Sequence, residues 1–85
     1  MNLSKQEQRV LHELALGGEI RHLRGSNGKI QEVTCFTREG HVLISCTLEV
    51  FTRLKKRRFV RSSNGQPYRV SRLGVTSVRA QLNQR

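Results

Sequence analysis

The chain has 85 residues, with 16 Lys plus Arg against six acids, every one a glutamate, and a formal charge of +10. That length holds one small domain, residues 1–85, and excludes a multidomain enzyme. No apolar run approaches the roughly 20 residues of a membrane span, and no charged start with an apolar stretch marks a signal peptide, so a reducing cytoplasm is the expected setting for Cys35 and Cys46.

In chain order, Ser4-Lys-Gln-Glu7 is a capping-box pattern that opens a helix over about 4–16 with Val10, Leu11 and Leu14 on one face. Gly17-Gly18 stops it. Residues 19–24, 29–36 and 41–45 read as a three-stranded antiparallel meander, with turns at Ser26-Asn27-Gly28 and Thr37–Gly40. Whether 41–46 is instead a helix completing a helix-turn-helix is left open by the sequence. Thr47 caps a second helix with Leu48, Val50, Phe51 and Leu54 as its apolar face, ending in Lys55-Lys-Arg-Arg58. Phe59–Ser62 and Pro67–Ser71 form a hairpin around Asn64-Gly65, with Tyr68 and Val70 turned inward. Ser71 then caps a last helix carrying Val75, Val78 and Leu82. The expected fold is α+β, a winged-helix-like domain of order α-β-β-β-α-β-β-α.

The charge is divided unevenly. Residues 1–50 hold six bases and six glutamates; residues 51–85 hold ten bases and no acid. Cations without acidic neighbours repel one another, and a polyanion or an acidic protein surface relieves that repulsion. The candidate interface in this basic half is Arg53, Lys55, Lys56, Arg57, Arg58, Arg61, Arg69 and Arg72. Asn64 and Gln66 at the hairpin tip can reach a base edge, but Asn-Gly is also what the turn requires. The aromatics Phe36, Phe51, Phe59 and Tyr68 read as core, not as a stacking platform for single strands.

Other chemistry is poorly supported. Cys35, Cys46, His22 and His41 lack the spacing of a metal motif, so no metal or cofactor is expected. Without Asp there is no Ser-His-Asp triad, and Gly17-Gly18 lacks the rest of a phosphate loop. Binding, not catalysis, is the expected mode of action.

Met1–Arg9, His12-x-Leu14-Ala15, Gly17-Gly18, Arg38-Glu39-Gly40, Cys46-Thr47-Leu48, Val50-Phe51, Asn64–Arg69 and Val78–Gln81 together resemble the small bacterial family typified by the YjhX toxin, or topoisomerase I inhibitor. The resemblance runs along nearly the whole chain. It implies a toxin that binds bacterial DNA topoisomerase I and blocks its action on DNA, with an acetyltransferase-like antitoxin as partner. It carries no functional residues over. The reading from charge alone gives an alternative, a regulator that binds double-stranded DNA through the basic helix end and wing. The charge-balanced first half, with exposed strands, suits a homodimer or antitoxin face.

Overall fold

The structure, a computed structural model describing residues 3–83, runs α1 (Lys5–Ala15), β1 (Glu19–Arg24), β2 (Ile30–Phe36), β3 (Val42–Leu43), α2 (Leu48–Lys56), β4 (Val60–Arg61), β5 (Arg69–Val70) and α3 (Arg72–Asn83). The fold is α+β, in the order expected from sequence.

Helix α1 begins with the full capping box. The Glu7 amide donates to Ser4 Oγ at 3.1 Å, and the Ser4 amide to the Glu7 carboxylate at 3.3 Å. Val10, Leu11 and Leu14 are buried beneath it. Its end is a Schellman motif: the Gly17 amide donates to the Leu14 carbonyl and the Gly18 amide to the Glu13 carbonyl. Gly17 takes the left-handed conformation this requires, with φ +112°.

Strands β1, β2 and β3 form an antiparallel meander in that order. The two-residue alternation sends Ile20 and Cys35, which face each other, into the core and leaves Arg21, Leu23 and Glu32 outside. The third strand is only Val42–Leu43, followed by a turn in which the Cys46 amide donates to the Leu43 carbonyl. Residues 41–46 are therefore not helical, and no helix-turn-helix precedes the hairpin among the described residues.

Thr47 caps α2 through the Val50 amide at 3.2 Å. Val50, Phe51 and Leu54 are buried, but Leu48, expected beside them, is 41% exposed. At 100° per residue Leu48 lies roughly 120° around the helix from the centre of that face.

The hairpin turns through Asn64 (φ +53°) and Gly65 (φ +74°), with the Gln66 amide on the Ser63 carbonyl. Two left-handed central residues make a type I′ turn, which accounts for Asn64-Gly65 without a ligand. Tyr68 fastens the hairpin to the first sheet: its amide and carbonyl exchange 2.8 Å bonds with Ile20. Its buried ring meets Phe51 edge-on at 4.9 Å and His22 at 5.1 Å.

Ser71 Oγ caps α3 by accepting from the Gly74 amide at 3.1 Å. A Cβ on Gly74 would lie 2.4 Å from the Phe59 carbonyl oxygen, so glycine lets this turn approach the chain leaving α2. Val78 is buried and Val75 half-buried; the Leu82 side chain lies outside what is described. Among the described residues no helix is long and apolar enough to cross a membrane.

Candidate basic interface

The eight expected cations divide into two groups, because glutamates of the first half reach across to the second. Glu7 is 2% exposed. Besides capping α1, its carboxylate lies 3.4 Å from Arg57 Nε and 3.9 Å from Arg53 Nη1. Arg57 thus turns inward, its side chain 22% exposed, and ties α2 to α1. Arg53 also pairs with Glu49 one turn back. Arg69 Nη2 meets Glu19 at 3.0 Å, and Glu19 also holds Arg21 at 2.8 Å. The expectation that the basic half has no compensating acid is therefore corrected: Arg53 is held by Glu49 in the i,i+4 pair that the helix spacing predicts, while Arg57 and Arg69 are compensated by acids that folding brings to them.

Lys55, Lys56, Arg58, Arg61 and Arg72 remain. All five are exposed, and no carboxylate among the described residues lies within salt-bridge distance of them. Lys55 Nζ sits 5.9 Å from the centre of the Tyr68 ring. One joint brings Arg58 and Arg72 together. The Ser71 hydroxyl donates to the Arg58 carbonyl at 2.7 Å, and the Ser71 amide to the Phe59 carbonyl. This sets the start of α3, with Arg72, against the end of α2, with Arg58. The hairpin grows from the same place.

Three arginines here are placed against local stability. Helix α2 ends in the same Schellman motif as α1: the Phe59 amide donates to the Leu54 carbonyl and the Arg58 amide to the Lys55 carbonyl. The left-handed position that Gly17 fills in α1 is filled in α2 by Arg58, with φ +63°. A side chain there costs about 1 kcal/mol. Arg72 stands in the first turn of α3, which holds no acid, where the helix dipole disfavours a cation. Arg61 lies directly opposite Arg69 across the hairpin, a like-charge pair that the Glu19 bridge to Arg69 moderates. Arg61, Arg69, Gln66 and Glu19 line a shallow open depression of about 480 Å³ beside it. Such conflicts between local preference and position collect at functional surfaces.

Sequence reading missed the selection among the cations, because it depends on which glutamates the fold brings within reach. The sequence signal that could have found Arg58 is the absence of a glycine after the end of α2, where one is usual.

Elsewhere, Cys35 and Cys46 are free and buried. Interaction between the two thiols, reinforced by burial, pushes the Cys46 thiol well above its ordinary value, and the same interaction holds Cys35 below its own. No group of three His, Cys or Glu side chains is arranged for a metal ion among the described residues.

Comparison with known proteins agrees with the resemblance seen in the sequence. The model of the YjhX toxin family, described as "Putative toxin of bacterial toxin-antitoxin pair", matches residues 1–85. A protein of Beijerinckia indica is 58% identical and one of Aliivibrio fischeri 56% identical, each over 85 residues and the whole of both chains. A Caulobacter vibrioides protein is 49% identical over the whole of this chain and 93% of its own. All three are named only as UPF0386 proteins. No solved structure matches. By this full-length match, the chain belongs to the YjhX toxin family.

Proposed function

We propose that the chain is a toxin-type inhibitor that acts by binding, setting the surface of Lys55, Lys56, Arg58, Arg61 and Arg72 against DNA topoisomerase I and blocking that enzyme's action on DNA. The observation that carries a binding surface is the cost of its arginines: Arg58 in a glycine conformation, Arg72 at the wrong helix end, Arg61 opposite Arg69. An anionic partner surface offsets those costs. The toxin description of the family supports an inhibitory role, and the resemblance supplies topoisomerase I as target. The inhibitor works in the cytoplasm without catalysing a reaction. A toxin of such a pair implies an antitoxin partner, acetyltransferase-like on the same resemblance.

A second reading has one observation in its favour. The hairpin presents Arg61 and Arg69 side by side on one face, a disposition that suits two phosphates of double-stranded DNA. Relaxation of supercoiled plasmid by purified topoisomerase I separates the two. With chain and enzyme fixed and plasmid raised about tenfold, enzyme binding leaves the inhibited fraction nearly unchanged, whereas DNA coating is titrated away. Loss of inhibition with added plasmid would overturn the enzyme reading in favour of the DNA one.

A further inference from the structure

A second surface lies on the opposite edge of α2 from the ion-paired Arg53. A groove of about 330 Å³ runs between α2 and the tip of the β1–β2 hairpin. Arg24, Lys29 and Lys55 form its rim, and Ile30, Leu48 and Phe51 its floor. No acid lines it. Arg24 is held there by donating from Nη1 to the Gly28 carbonyl at 2.8 Å. Arg24 and Lys29 belong to the half of the chain whose formal charge balances, so composition concealed them.

The floor distinguishes this groove from the arginine joint. Leu48, on the first turn of α2, is 41% exposed, and Ile30 is half-buried. Leu48, Thr52 and Lys55 share the outer face of the helix. Leu48 and Thr52 also line the shallow depression on the other side of α2. Phosphates of a duplex would meet the three cations but leave the leucine and isoleucine without a favourable contact. An acidic peptide with an apolar anchor matches both parts, its carboxylates on the rim and its anchor over Leu48 and Ile30.

We infer that this groove is a docking site for a protein partner, which lays an acidic segment with an apolar anchor between α2 and the β1–β2 hairpin tip. The site is independent of the topoisomerase reading and shares only Lys55 with the arginine joint.

The test uses the full chain and a fluorescein-labelled peptide of about 14 residues, roughly four helical turns, made of Glu and Ala with two Leu one turn apart. A second peptide replaces both Leu with Ser at equal charge. Anisotropy at about 0.15 M salt should show the Leu peptide binding about tenfold more tightly than the Ser peptide. Leu48→Ser should weaken the Leu peptide about tenfold, and Arg24→Glu with Lys29→Glu should do so by a similar factor. These side chains are on the surface, and far-ultraviolet circular dichroism verifies that each variant is folded. Equal binding of the two peptides, an unchanged affinity in Leu48→Ser, or no binding up to about 100 µM would overturn the proposal. A labelled duplex that displaces the Leu peptide and is itself weakened by Leu48→Ser would overturn it too, and assign the groove to nucleic acid.

Discussion

Glu7 serves three partners at once: the Ser4 amide, Arg57 and Arg53. Its carboxylate is almost fully enclosed, so its charge is tolerated only with those cations in place. Glu7→Gln keeps a side chain that can cap but removes the charge. Because Arg53 is half exposed and partly screened, the expected loss of stability is about 1–3 kcal/mol, read by urea denaturation. The two thiols make a separate expectation. Cys35 has no exposed surface and Cys46 little, so an aromatic disulfide reagent should modify neither in the folded protein and both in denaturant. Modification of the native chain at the rate of a free thiol would contradict the burial of this pair.

Among the elements, those whose signals are local were legible. The capping box at Ser4–Glu7, the Thr47 cap, the Asn64-Gly65 turn and the two-residue alternation around Ile20 and Cys35 each depend on residues adjacent in the chain or facing across one strand pair. Leu48 falls outside the buried face by its angular position, which the helix period alone fixes. What depends on distant contacts was not legible: β3 shrinks to two residues. The Tyr68–Ile20 bridge that joins hairpin to meander has no signature in either segment. That bridge is the weak point between the two halves of the sheet structure. Tyr68→Ala removes the ring packed on Phe51 and should cost about 3–5 kcal/mol, while Tyr68→Phe keeps the packing and should stay within about 1 kcal/mol of the parent, both measured by thermal or chemical denaturation. Gly74→Ala would push a methyl group into the Phe59 carbonyl and separate α3 from the end of α2, so it should lower the melting temperature as well.

At the scale of the whole molecule, folding redistributes a charge that the sequence divides into halves. Glu7, Glu19 and Glu49 of the first half hold Arg57, Arg69 and Arg53 of the second, and of the eight candidate cations Lys55, Lys56, Arg58, Arg61 and Arg72 are left without a salt bridge among the described residues. Which cations remain open is set by tertiary structure, and for that reason the candidate site was legible as a region but not as a residue set. Glu19→Gln should release Arg69 beside Arg61. Affinity for an anionic partner should then rise and its dependence on salt steepen, by about one unit of slope if the partner is duplex DNA. The central claim is that exposed arginines occupy unfavourable positions because a partner needs them there. Arg58→Gly tests it most directly, since one change relieves the left-handed backbone and removes the cation. Paired measurement of the melting temperature and of topoisomerase I inhibition should give a chain more stable by about 0.5–1 kcal/mol, some 2–8 °C, yet several-fold weaker as an inhibitor. A stabilised chain that inhibits as strongly as the parent would contradict the claim.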